Sequence, residues 1–120
     1  MSKKILVVDD EPDIVKLLEL RLRANGFEVA TAYNGTEALD KVKDTSPDLI
    51  ILDVLIPAPN GFQVCRKLKD DPKYKEIPVI LLTAKTTESD QFWGMESGAD
   101  KYVTKPYNAE ELLQEIKKLI

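Results

Sequence analysis

Asp9 and Asp10 close one apolar run, Ile5-Leu6-Val7-Val8, and Asp53 closes another, Leu49-Ile50-Ile51-Leu52. If the two runs are neighbouring strands of a parallel sheet, three carboxylates meet at one edge. Carboxylates packed so closely repel, so one of them keeps its proton unless a cation neutralises the group, and an oxygen-rich site with an open face suits magnesium. Thr83 follows the run Val79-Ile80-Leu81-Leu82, and Lys105 follows Tyr102-Val103-Thr104. They add a hydroxyl donor and a fixed positive charge, both useful if Asp53 becomes covalently phosphorylated. Transfer onto a carboxylate needs positioning and charge neutralisation more than acid or base assistance.

Taken singly, each residue has a plainer reading. An acid just after a strand commonly caps the next helix, so Asp9 or Asp10 alone reads as a cap. Asp53 alone reads as a loop acid, Thr83 as a strand-end hydroxyl and Lys105 as a solvated charge. Their joint occurrence reverses this weighting: five polar residues end four apolar runs, at the edge where the carboxyl ends of parallel strands gather ligands.

Composition narrows the chemistry further. The 120 residues suit one domain, expected to span residues 1–120, and 43% hydrophobic with 32% charged residues describes an ordinary soluble domain. No apolar stretch approaches the roughly 20 residues needed to span a bilayer. The basic start, Met1-Ser2-Lys3-Lys4, leads into an apolar run too short for a signal peptide, so a cytoplasmic location is expected. A formal charge of −4 argues against direct nucleic-acid binding. Histidine is absent and Cys65 is the lone cysteine, which excludes Ser-His-Asp and Cys-His catalysis, histidine-ligated zinc, a phosphohistidine on this chain and an intramolecular disulfide. Cys65 sits at helical spacing between Phe62 and Leu68 and reads as a small buried residue.

The elements that must position these groups alternate between short apolar runs and stretches of helical period, the pattern of a parallel α/β sheet. Strands are predicted over Lys4–Val8, Phe27–Ala32, Leu49–Leu52, Val79–Leu82 and Tyr102–Val103. The first helix starts at Pro12, carries Ile14, Leu17, Leu18 and Leu22 on its inner face and closes at Asn25-Gly26. Asn34-Gly35 reads as a turn before a helix over Thr36–Lys43, with Ala38, Leu39 and Val42 inward. A breaker-rich loop, Pro57-Ala58-Pro59-Asn60-Gly61, precedes a helix over about Phe62–Lys69. A fourth helix is predicted over about Glu88–Glu96, ending at Gly98. The last opens with a capping box of Asn108 and Glu111. Five strands and five helices result.

In order and spacing, Asp9-Asp10, Asp53, Thr83 and Lys105-Pro106 resemble the receiver domain of two-component response regulators, and the resemblance runs from Lys4 to the last residue. Gly98-Ala99-Asp100 and Tyr102, at the position of the family's aromatic switch, extend it. The resemblance implies a doubly wound five-stranded parallel sheet in the flavodoxin-like order 2-1-3-4-5. It implies Asp53 as phosphoacceptor and magnesium held by Asp10, Asp53 and the Leu55 carbonyl, with Asp9 acting through the metal's water shell. Thr83 is implied as the switch hydroxyl, Lys105 as the partner of the phosphoryl group, Tyr102 as the ring that turns inward, and Lys105-Pro106 as a cis peptide. The implied donor is a sensor histidine kinase or histidine phosphotransfer protein. The implied output is a downstream protein or domain met through the face of Trp93 and Tyr102, with no enzymatic activity beyond the chain's own phosphorylation and dephosphorylation.

The loop after Asp53 departs from the family pattern. Ile56-Pro57 and Asn60-Gly61 stand where Met-Pro and an acid before the glycine are common, and Pro59 is additional. Leu55 and Lys85 occupy positions that in this family tune attack of water on the phosphoaspartate, while the small Ala84 leaves the site accessible. Trp93 reads either as core or as a contact anchor, since Phe92 and Met95 can supply that helix's inner face. Other classes fit less well. A nucleotide-binding flavodoxin-like protein would place a glycine-rich loop where Asp9-Asp10-Glu11-Pro12 stands. A hydrolase with an aspartyl nucleophile needs a cap that 120 residues cannot supply. An unphosphorylated interaction module is disfavoured by the complete set of polar residues.

Overall fold

A computed structural model of the protein describes residues 2–83 and 97–120. The helix expected over Glu88–Glu96, with Phe92, Trp93 and Met95, and the residues Ala84 and Lys85 all lie outside the described residues. The elements in chain order are β1 (Lys4–Val8), α1 (Pro12–Ala24), β2 (Glu28–Ala32), α2 (Gly35–Thr45), β3 (Leu49–Asp53), α3 (Gly61–Lys69), β4 (Val79–Thr83), β5 (Lys101–Thr104) and α4 (Ala109–Leu119). The strands form one parallel sheet in the order β2-β1-β3-β4-β5, as expected, with four helices among the described residues.

The central strands are buried on both faces because their side chains alternate between two helical layers. Leu6, Val8, Ile50, Leu52 and Leu81 pack with Ala38 and Val42 of α2 and with Val64, Cys65 and Leu68 of α3. Ile5, Val7, Leu49, Ile51, Ile80 and Leu82 face the other way, onto α1 and α4. Each fully buried Ile or Leu stabilises the fold by roughly 1.5–3 kcal/mol relative to an exposed one, so these runs hold the sheet without disulfides. Strand β2, at one edge, is only partly covered, in keeping with its weaker sequence signal.

The helix ends follow local chemistry. Pro12 occupies the first turn of α1, where its missing N–H costs nothing, and Gly26 beyond the helix adopts φ 89°, a left-handed conformation that favours glycine. Four expectations are corrected. Leu17 is 60% exposed, and the inner face of α1 is Val15, Leu18 and Leu22. Position 17 lies about 100° from 18, so it falls on the flank once Leu18 points inward. Asn34, read as part of a turn, caps α2 by accepting from the Glu37 N–H at 2.8 Å, so that helix begins at Gly35. Phe27 lies before β2. The complete capping box stands at α3, where Asn60 and Gln63 bond reciprocally, while Asn108 accepts from the N–H groups of Glu110 and Glu111.

A partly buried tie joins α3 to the sheet at the opposite end from the acidic edge. Lys69 Nζ donates to the Ile77 carbonyl at 2.7 Å and to Asp100 Oδ2 at 2.8 Å, and the same Asp100 oxygen accepts from the Val79 N–H at 2.8 Å. Asp100 therefore sets where β4 starts beside β5.

Candidate functional site

Strand register gathers the polar residues. Val8 pairs with Leu52, Asp53 with Leu82, and Thr83 with Thr104, so Asp9, Asp53, Thr83 and Lys105 reach the same edge of the sheet. One carboxylate oxygen from each of Asp9, Asp10 and Asp53 lies within 4.8 Å of the other two. Asp9 and Asp53 are buried, at 2% and 7% exposure, whereas Asp10 is exposed and leaves the group open on one side.

Lys105 supplies the countercharge. Its Nζ lies 3.0 Å from Asp9 Oδ2 and 3.2 Å from Asp53 Oδ2. Its backbone N–H donates to the Thr83 carbonyl at 2.7 Å, which extends the β4–β5 pairing to the residue that bears the ammonium. The Lys105–Pro106 peptide is cis, as expected; so is Ala58–Pro59. The other carboxylate oxygens are held by backbone: Asp9 Oδ1 accepts from the Glu11 N–H at 3.0 Å, and Asp53 Oδ1 from the Leu55 N–H at 3.2 Å. Asp9 thus orders the entrance to α1 while also taking part in the cluster.

Electrostatics follow from this packing. Burial raises the Asp53 pKa above the ordinary 3.8; the Leu55 N–H opposes the rise, the Asp9 charge adds to it and Lys105 offsets part of it. For Lys105, burial alone would lower the ammonium's pKa, but the hydrogen bond to Asp9 and the charges of Asp53 and Asp9 outweigh it, and the net direction is upward. A cluster of three carboxylates against one ammonium keeps a negative excess. Oxygen donors and residual negative charge suit a hard divalent cation, so the residues present fit magnesium.

Thr83 is fully buried at the same edge. Tyr102 lies further down β5, paired with Leu81 and half-buried against the layer of α2 and α3. The backbone of Leu55 touches Asp53, while its side chain is exposed. Cys65 is fully buried, and burial raises its thiol pKa, consistent with a packing role.

One positioning residue escaped the sequence reading. Gly61 donates its N–H to the Val54 carbonyl at 3.0 Å, folding the loop after Asp53 back on itself. A Cβ there would meet the Asp53 carbonyl oxygen at 2.5 Å and Val54 Cα at 2.7 Å, both backbone atoms that cannot swing aside. The sequence shows Asn60-Gly61 only as a turn signal, and the close approach depends on tertiary placement. Gly61→Ala is expected to lower stability by roughly 1–3 kcal/mol in urea unfolding; an unchanged midpoint would show that the loop yields freely.

Comparison with known proteins places these features in context. Residues 5–117 match the family model described as the response regulator receiver domain. A putative response regulator from Chloroflexus aurantiacus is similar at 36% identity, with a TM-score of 0.93 over 99% of this chain and 98% of that one. The chemotaxis protein CheY4 of Vibrio cholerae is 33% identical, with a TM-score of 0.92 and both chains covered completely. The signal receiver domain of a histidine kinase from Syntrophus aciditrophicus is 39% identical, with a TM-score of 0.94 over 98% of this chain and 89% of that one.

Proposed function

The chain belongs to the response regulator receiver family, and on that premise we propose that residues 1–120 act as one phosphorylation-controlled switch whose acceptor is Asp53. The carrying observation is the position of Asp53, held by the Leu55 N–H on one oxygen and Lys105 on the other, among carboxylates suited to a divalent cation. A carboxylate oxygen of Asp53 attacks phosphorus in a phosphohistidine of a sensor kinase or histidine phosphotransfer protein. The P–N bond breaks, and its electron pair leaves with the donor imidazole, which is protonated from solvent. Asp10, Asp53 and the Leu55 carbonyl would hold magnesium, with Asp9 reaching it through water; bound magnesium neutralises charge on the transferring group.

Lys105, already paired with the acceptor carboxylate, is placed to bind the phosphoryl oxygens. Thr83 donates its hydroxyl to the same group, and Tyr102 packs inward as Thr83 moves. The modification then biases two packings of the protein, and the favoured one is read by a downstream protein or output domain through the face of Tyr102 and Trp93. No helix among the described residues is long and apolar enough to cross a membrane, and the proposed setting is the cytoplasm. The chain catalyses no reaction beyond its own phosphorylation and dephosphorylation.

Phosphoramidate, a small donor with the same P–N bond, tests the reading. Incubation with magnesium is expected to give one phosphoryl adduct by intact mass, and chelation of the metal to prevent it. A chain that stays unmodified with magnesium and donor in excess contradicts the proposal.

A further inference from the structure

The loop that follows Asp53 is held on both sides of Leu55. Before it, the Val54 carbonyl accepts from the Gly61 N–H at 3.0 Å. After it, Ile56 is buried in the layer of α2 and α3, and the Pro57 carbonyl accepts from the Gly35 N–H at 3.2 Å. The Leu55 side chain is exposed and anchors nothing, so its peptide groups are placed by these neighbours and by its own N–H bond to Asp53 Oδ1.

Gly35 is the first residue of α2, and the first N–H groups of a helix have no partner within it. The Asn34 side chain takes the N–H of Glu37. The Pro57 carbonyl takes that of Gly35, so the loop after Asp53 completes the start of α2. The approach leaves no room for a side chain. A Cβ at Gly35 would collide with the Pro59 carbonyl oxygen and lie 2.8 Å from the Pro59 Cγ and Cδ atoms. Nothing in the helix itself asks for glycine there: Gly35 has no positive φ, and alanine is the better helix former. The requirement comes from Pro57-Ala58-Pro59, the segment in which the chain carries its additional proline.

We propose that Gly35 is a positioning residue for the cation site, although α2 supplies none of that site's own groups. By seating Pro57 and Pro59 it fixes the Leu55–Ile56 peptide, whose carbonyl would hold magnesium beside Asp53. The inference rests on the receiver reading above and makes the site depend on a second helix. In Gly35→Ala the added methyl displaces Pro59, breaks the bond to the Pro57 carbonyl and frees the Leu55–Ile56 peptide to rotate. The coupling is reciprocal. A cation that holds the Leu55 carbonyl also holds Pro57 against α2, so the Gly35 N–H opens less often when magnesium is bound.

Titration calorimetry with magnesium, on the native chain and two variants, tests this. Gly35→Ala is expected to stay folded by circular dichroism and to bind magnesium about tenfold more weakly, the lower end of what disturbing the support of a metal ligand costs. Asn34→Ala removes the α2 cap and leaves the Pro57 contact in place, so it should lower the urea midpoint and keep native magnesium affinity. Native affinity in Gly35→Ala overturns the proposal. So does an equal loss in both variants, which would make it an effect of the whole helix start. Hydrogen exchange at the Gly35 amide of the native chain reads the same coupling without a substitution, and it decides the matter if Gly35→Ala fails to fold. Magnesium is expected to slow that exchange relative to chelator, beyond any change at the Glu37 amide; a Gly35 amide that follows Glu37 overturns the proposal. A native chain that binds no magnesium overturns the receiver reading, and this role with it.

Discussion

Lys105→Met is expected to unfold at a clearly lower urea concentration than the native chain in metal-free buffer at pH 7, a loss of roughly 2 kcal/mol. Removing one partner from a buried ion pair typically costs about 3–5 kcal/mol, and the 25% exposure of the Lys105 side chain reduces that figure. Methionine preserves the apolar stem but leaves Asp9 and Asp53 facing each other without a countercharge. The pH dependence has a definite sign. The folded-state pKa of Lys105 is raised above 10.5, so its contribution is fully present below that value and is lost as pH rises through the higher folded value. On the acid side, Asp53, whose pKa lies above 3.8, takes up a proton and relieves the repulsion left by the substitution. The gap between the two proteins should therefore be widest near neutrality and narrow at both extremes. Urea midpoints at several pH values, with constant m-values, provide the check.

Asp53→Asn is expected to abolish phosphoryl acceptance completely and, without metal, to make the protein more stable. The carboxylate is a net burden on the fold: its raised pKa means that the native state favours the neutral form, mainly because of burial. The penalty is fully present above the folded pKa and disappears as pH falls through it. Asparagine, neutral and of the same shape, should raise Tm by a few degrees at pH 7, the scale on which about 1 kcal/mol moves Tm in a small domain. The gain should vanish in acid, where the native carboxyl is itself protonated. Added magnesium should invert the order, since a ligand that binds only the folded state stabilises it in proportion to occupancy, and the variant lacks one of the carboxylates. Melting curves with magnesium and with chelator separate these terms. A variant no more stable than the native chain in chelator would show that the Asp53 charge is not the burden its burial implies.

Much of the fold and site was legible because the informative signals are local. Continuous apolar runs such as Leu49-Ile50-Ile51-Leu52 mark strands covered on both faces, and β3 and β4 are buried throughout. The polar residue ending each run is then carried to one edge by parallel register, so the run ends alone group Asp9, Asp53, Thr83 and Lys105. What stayed hidden depends on position in three dimensions. The exposure of Leu17 reflects a groove left between α1 and α4, which helical period alone does not register. Gly61 reads as a turn residue, yet its requirement arises from the approach of the Asp53 carbonyl. The bond between Lys69 and Asp100 spans 31 positions, and no spacing rule connects them. Asn60 reads as part of a loop yet caps α3, because Asn60-Gly61 satisfies a turn and a helix start equally well, and only the Gln63 partner decides between them.

The most direct test of Asp53 as the acceptor is to reduce the phosphorylated protein with borohydride and map its peptides. Borohydride converts an aspartyl phosphate to homoserine and leaves a free aspartate intact, so the mark records which carboxylate carried the phosphoryl group. Homoserine at position 53 alone, formed only when donor and magnesium are both present, is the expected result. Homoserine at position 9 or 10, or an adduct that survives in Asp53→Asn, would contradict it.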